Sequence, residues 1–248
     1  TLQNRMAMAP MTRSRATTEG VVGEMTVLYY TQRASAGLLI TEGVNISPQA
    51  IGGPWTPGIY TQAQIDGWKK VTQAVHANNG VIYAQLWHTG RASHSSVKQG
   101  ELPVAPSAVA ISGQQVFTPE GLKEHETPRA LSTAEVKQTI QDYKQAAINA
   151  LAAGFDGVEL HGANGYLPHQ FLADNANQRT DEYGGSIENR NRFVLEIMNA
   201  LVDAIGSDKV GIRLSPTNPY NDILHQDPTT QYTQLLQELN KLPLAYVH

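Results

Sequence analysis

Residues Phe155 to Tyr166 read Phe-Asp-Gly-Val-Glu-Leu-His-Gly-Ala-Asn-Gly-Tyr. Val158 and Leu160 are the apolar rungs of a short buried strand bounded by Gly154 and Gly162. The run then stops being apolar and presents His161, Asn164 and Tyr166 within six residues. Three hydrogen-bonding side chains therefore gather just past the carboxyl end of a strand. In parallel α/β proteins that end is where ligands bind and chemistry happens. The glycines between them let the backbone bend sharply and approach a ligand closely.

Working outward, the same alternation recurs. Arg5 to Met11 reads as a mostly apolar strand closed by Pro10, with Thr12 and Arg13 at its end. A helix over Thr26 to Ala36 stops at Gly37. Leu38 to Ile40 is a second strand, followed at once by Thr41, Glu42 and Gly43. Ile65, Trp68, Val71, Thr72 and Val75 recur at helical spacing. Val81 to Leu86 is a third strand, with Gln85, Trp87 and His88 at its end. Residues 88–130 are rich in Gly, Pro and Ser and carry no sustained period, so they read as a lid-like loop with a small hairpin around Val116 and Phe117. Ser132 and Glu135 form a capping box that opens a helix ended by Gly154. After the central strand, Ser186 caps a helix closed by Gly206, Val210 to Leu214 is a fifth strand, and a helix around Tyr232 to Leu239 precedes a sixth strand begun at Leu244.

Strand and helix alternating without hairpins among the main elements means a parallel sheet with right-handed crossovers. No Gly-x-Gly-x-x-Gly opens the first helix and no Walker loop is present. Thr12, Gly43, Gln85, His161 and Arg213 sit at the ends of successive strands, and a barrel makes such ends converge on one site. The expectation is a single α/β domain over residues 1–248, a (β/α)8 TIM barrel of which about the first six strands are present. A fragment of a longer chain explains the shortfall, and the absence of a starting Met suits truncation at both ends.

Composition narrows the function. The chain has 248 residues, 41% of them hydrophobic, a net charge of −4 and a pI near 6.0, which leaves no basic footprint for nucleic acid. No apolar run approaches the roughly 20 residues of a membrane helix. Cysteine is absent, which excludes disulfides, thiolate metal sites and a Cys nucleophile, and fits a cytoplasmic protein.

Taken together, these stretches resemble the old yellow enzyme family of flavin-dependent ene-reductases, in its N-ethylmaleimide and xenobiotic reductase branch. The resemblance is carried by Ala9 to Arg13, Tyr29 to Ala34, Gln85 to Arg91, Thr127 to Leu131, Val158 to Tyr166, Asn177 to Arg190 and Gly211 to Arg213, in order along nearly the whole chain. It implies a barrel with FMN across its carboxyl end and NADPH, or NADH, as reductant. By that resemblance Ala9, Pro10 and Met11 lie against the flavin, Thr12 bonds its O4, and Gly43 brings backbone to the ring edge. Gln85 bonds the pyrimidine side, and Arg213 faces N1 and O2. His161 and Asn164 hold the substrate's carbonyl or nitro oxygen, and Tyr166 gives a proton to the α carbon. The family binds the FMN phosphate after strands seven and eight, which this chain does not reach. A Tyr common in the Gly-rich loop is replaced here by Gly53, with Trp55 two residues on.

The implied activity is reduction of the C=C bond of electrophilic alkenes bearing a carbonyl or nitro group, by a monomer or homodimer. Reduction of nitro compounds or nitrate esters on the same flavin is the alternative. From another class, His161 and His169 would suit a metal-dependent barrel hydrolase, and a non-catalytic fragment is the remaining alternative. Simpler roles are expected for the surrounding residues: packing for Trp87, solvated or lid positions for His88 and His94, loop shape for Arg179, Asp181, Tyr183 and Arg190, and a cation partner for Glu159.

Overall fold

The computed structural model describes residues 2–248. Six strands form one sheet: β1 (Ala7–Met8), β2 (Leu38–Asn45), β3 (Ile82–Trp87), β4 (Gly157–Gly162), β5 (Val210–Leu214) and β6 (Tyr246–Val247). Every neighbouring pair is parallel, and the order across the sheet is the order along the chain. A doubly wound sheet reverses its order at a switch point. Strict succession is the wall of a barrel, the architecture expected from the sequence.

The crossovers are helical: α1 (Glu24–Thr31), α2 (Gln62–His76), α3 (Thr133–Ala152), α5 (Ile187–Ile205) and α6 (Pro228–Leu239), with a short α4 (Leu167–Leu172) after β4. Ser132 accepts from the Glu135 amide while the Glu135 carboxylate accepts from the Ser132 amide, so the predicted capping box stands. Thr61 and Gln64 make a second one that opens α2 three residues before its apolar period begins. Gly206 ends α5 at φ 89°, a conformation that favours glycine.

Period-two alternation sorts the strands. Ala84, Leu86, Val158, Leu160, Val210 and Ile212 belong to the main core, which they share with helix residues such as Trp68, Tyr143 and Phe193. Tyr83, Gln85, Trp87, Glu159, His161 and Arg213 take the opposite, inner face. Here three aromatic rings lie over glycines of neighbouring strands. A Cβ on Gly43 would meet Trp87 at 2.6 Å, one on Gly157 would meet Tyr83 at 2.5 Å, and one on Gly211 would meet Tyr246 at 2.5 Å. Above the tyrosines lies a polar layer. Glu159, fully buried, accepts from Gln85 Nε2 at 2.8 Å and lies 2.9 Å from His248 Nδ1.

Two expectations are corrected. β2 does not end at Ile40 but runs to Asn45, wholly buried, because Thr41, Glu42 and the Nδ2 group of Asn45 find partners inside the fold. Thr41 donates to the Glu42 carbonyl and accepts from the Gln85 amide, and Glu42 takes both the amide and the guanidinium of Arg13. α4 was not expected at all: all six of its residues are buried, so it shows no amphipathic period. Inside 88–130, Gln115–Thr118 pairs antiparallel with Gly121–Glu124 as the expected hairpin, and Val104–Ala105 pairs with Arg129–Ala130.

Candidate active site

At the carboxyl ends of β3, β4 and β5 the sheet register brings Arg213 directly beside His161. His161 is 5% exposed and neither ring nitrogen has a hydrogen-bond partner among the described residues; Nδ1 is fully buried. Burial first, and the neighbouring Arg213 charge second, push its pKa down to about 3, so the imidazole is neutral at ordinary pH. The Tyr166 ring packs edge-on against it at 4.9 Å between centroids, and against Trp87 at 5.1 Å. Burial raises the Tyr166 phenol above its ordinary value, so it keeps its proton. Arg213 makes no ion pair among the described residues.

Asn164 sits in the left-handed region at φ 57°, which Asn tolerates better than most residues. The loop after β5 holds it. Its amide donates to Ser215 Oγ at 2.8 Å, its carbonyl accepts from Asn221 Nδ2 at 2.9 Å, and its Oδ1 accepts from Asn218 Nδ2 at 2.9 Å.

Thr12 lines a cavity of ≈ 200 Å³ together with Trp87, Tyr166, Gly53, Phe117 and His125. The hairpin of the 88–130 loop therefore forms one wall of it. Trp55, at φ 56°, is not among the lining residues, so it does not replace the missing Tyr at Gly53. Trp87 packs as expected, its indole covering Gly43.

The second alternative loses its geometry. His169 is fully buried; its Nδ1 accepts from the Gly165 amide at 3.0 Å and its Nε2 meets His225 Nε2 at 3.0 Å. Among the described residues no group of three His, Cys, Asp or Glu is placed to hold a metal ion. His88 is also corrected: it is 1% exposed rather than solvated, with Nδ1 accepting from Gly90 and a pKa driven well below its ordinary value by burial. His94 caps a 3-10 turn at Ser95–Val97 and lies 3.7 Å from Glu126.

The loop residues behave as expected. Arg179 pairs with Asp181, Tyr183 donates to Glu196, and Arg190 pairs with Asp174. Sequence reasoning missed Arg91 and the Ser215–Asn221 loop. Arg91 is fully buried, and its guanidinium donates to the carbonyls of Val109 (3.1 Å), Asn221 (3.2 Å) and Asp222 (2.6 Å). Nothing in the spacing marks carbonyl acceptors. The Asn, Ser and Pro of residues 215–221 could have been read as a turn built to bind something.

Set against known protein families, residues 1–248 match the NADH:flavin oxidoreductase / NADH oxidase family throughout. The chain belongs to that family. It is 47% identical over 256 residues to flavin oxidoreductase hxnT of Emericella nidulans, covering 100% of this chain and 66% of that protein. It is 46% identical over 256 residues to 12-oxophytodienoate reductase 7 of Oryza sativa, covering 100% of this chain and 65% of that one. The chain thus spans slightly less than two thirds of these curated relatives. Morphinone reductase in complex with tetrahydroNAD superposes at TM-score 0.96 with 50% identity, over 100% of this chain and 69% of that structure. An old yellow enzyme homologue from Zymomonas mobilis does so at 0.96 with 42% identity, over 99% and 69%. The fold is therefore a (β/α)8 barrel of which this chain carries six strands, as the sequence led us to expect. No helix among the described residues is long and apolar enough to cross a membrane.

The residues present fit FMN. Arg213 offers a positive charge that no carboxylate among the described residues pairs with. Gln85 commits its Nε2 to Glu159 and leaves its carbonyl oxygen open as an acceptor. Ala9, Met11 and Thr12 are exposed at the mouth of the sheet, an uncovered platform of two apolar side chains and one hydroxyl.

Proposed function

We propose that the protein to which this chain belongs is an FMN-dependent oxidoreductase that uses NADPH or NADH to reduce the C=C bond of α,β-unsaturated carbonyl or nitro compounds. The observation that carries this reading is the trio at the end of β4: a neutral, unpartnered His161, a braced Asn164 and a protonated Tyr166 beside an unpaired Arg213. FMN, when bound, would supply the hydride chemistry, taking two electrons from the nicotinamide and passing them to the alkene.

The residues then divide the remaining work. Ala9, Pro10 and Met11 would seat the flavin ring, with the Thr12 hydroxyl, the Gly43 backbone and the Gln85 carboxamide at its edge. Arg213 would hold a preorganised positive charge beside that ring. Neutral His161 and Asn164 donate hydrogen bonds to the substrate oxygen, which draws electron density from the double bond. Tyr166 delivers the proton to the α carbon; its raised pKa keeps that proton available across ordinary pH. The hairpin over Gln115–Thr118 covers the cavity as a lid. The chain's lack of cysteine suits a cytoplasmic setting.

The test is a visible absorption spectrum of the full-length protein after FMN loading and desalting, followed anaerobically. The reading requires a retained flavin band that NADPH bleaches and that 2-cyclohexenone restores. A protein that retains no flavin, or whose reduced flavin is restored by oxygen but not by any activated alkene or nitro compound, refutes it.

A further inference from the structure

Asn164 can act as a donor only if its NH2 group, and not its carbonyl oxygen, faces the ligand. The two ends of a carboxamide have the same shape, so the hydrogen-bond network must set the choice. Here that network has an unambiguous anchor. The backbone amide of Tyr220 donates to Asn218 Oδ1 at 3.1 Å. A backbone N–H can only donate, so the oxygen of Asn218 must be the end that meets it. The NH2 of Asn218 is then the end that reaches Asn164, at 2.9 Å. An NH2 can only donate, so Asn164 must turn its Oδ1 toward Asn218 and its own NH2 away. Ser215 and Asn221 meanwhile take the amide and carbonyl of the Asn164 backbone. Its Nδ2 is the one polar group of Asn164 without a partner among the described residues.

We propose that Asn218 is a positioning residue whose amide orientation makes Asn164 a hydrogen-bond donor toward the ligand oxygen. The proposal rests on the reading of Asn164 as an oxygen-holding residue. It adds the residue that sets the polarity of that contact, on a different strand-end loop from the contact itself.

Asn218→Asp is nearly isosteric and reverses the logic. One carboxylate oxygen still accepts from Tyr220, but the other can now only accept from Asn164. The Asn164 amide must turn over and present its oxygen to the ligand, so two acceptors face one another. The probe is 4-hydroxybenzaldehyde, its Kd measured by calorimetry on the full-length, flavin-loaded protein. Asn164→Ala removes a donor and should weaken binding roughly tenfold. Asn218→Asp should weaken it further, roughly a hundredfold, because an unmatched acceptor costs more than an absent donor. In an Asn164→Ala background there is no amide to turn, so adding Asn218→Asp should change Kd by less than about twofold. That last comparison separates positioning from a simple charge or folding effect. Asn218→Ala frees the amide without inverting it and should lose less than Asn164→Ala does; it carries the test if the Asp variant does not fold. Loss on Asn164→Ala without loss on either Asn218 variant overturns the proposal. So does an Asn218→Asp penalty that persists undiminished beside Asn164→Ala. Unchanged Kd on Asn164→Ala alone refutes instead the underlying reading of Asn164.

Discussion

Gly43→Ala adds one methyl group where the inner face has no room for it. The new Cβ would lie 2.6 Å from Cδ2 and Cε3 of Trp87 and 3.0 Å from its Cγ. Carbon atoms rest at about 3.5–4.0 Å, so the indole must retreat by about 1 Å. It has little space to do so: Trp87 is 5% exposed and the Tyr166 ring stands 5.1 Å away on its edge. Overpacking of this kind costs about 1–3 kcal/mol. A protein of about 150–250 residues loses roughly 2–4 °C of Tm per kcal/mol and a longer one less, so the expected fall is about 1–10 °C. Differential scanning calorimetry of the full-length protein measures it. The cause is checked by a second variant, Trp87→Leu, which removes the ring that the methyl strikes. With Trp87→Leu already present, Gly43→Ala should cost at least about 1 kcal/mol less than in the parent. An unchanged Tm for Gly43→Ala, or strictly additive penalties in the pair, would refute the argument that Trp87 dictates glycine at this position.

Three further outcomes are expected. Tyr166→Phe should slow reoxidation of the reduced protein by an alkene about 10²–10⁴-fold in stopped flow while leaving its reduction by NADPH unchanged; equal slowing of both half-reactions would remove Tyr166 from the proton step. Ser132→Ala breaks the capping box that opens α3 and should cost about 1 kcal/mol in urea unfolding, with Ser132→Thr largely sparing it. The pKa of His169 is held down to about 3, chiefly by burial and then by His225, against an ordinary 6.5. The unfolded chain therefore binds the proton first, so this contribution to stability is complete above pH 6.5 and drains away as pH falls toward 3. A His169→Gln variant should show a shallower loss of Tm over that window than the parent, and an identical slope would contradict it.

The parts of the fold that could be read from sequence were those governed by local rules. Ser132 and Glu135 sit at the one spacing that lets each satisfy the other's amide, and Gly206 stands where the backbone needs a positive φ. The strand ends were legible because Val158 and Leu160 alternate with Glu159 and His161. Local rules fail where tertiary contacts supply the reason. Thr41 and Glu42 looked like a strand's end because their partners, Gln85 and Arg13, are distant in sequence. α4 hid because a helix buried on all sides has no polar face to give it a period. In the site, His161, Asn164 and Tyr166 were visible as a cluster. The residues that brace Asn164 were not, since Ser215 and Asn218 lie more than fifty positions away, at |i−j| of 51 and 54.

Arg91 carries a consequence for anyone who would re-engineer specificity by exchanging loops. Its guanidinium joins the carbonyls of Val109, Asn221 and Asp222, so the covering segment and the loop that cradles Asn164 are fastened by one side chain. Asn221 and Asp222 both adopt positive φ, at 61° and 56°, which aims their carbonyls at that fork. The two loops are in effect a single cassette. A transplant of residues 88–130 alone separates a plug from its socket, and a donor protein must contribute both segments if the graft is to keep its shape.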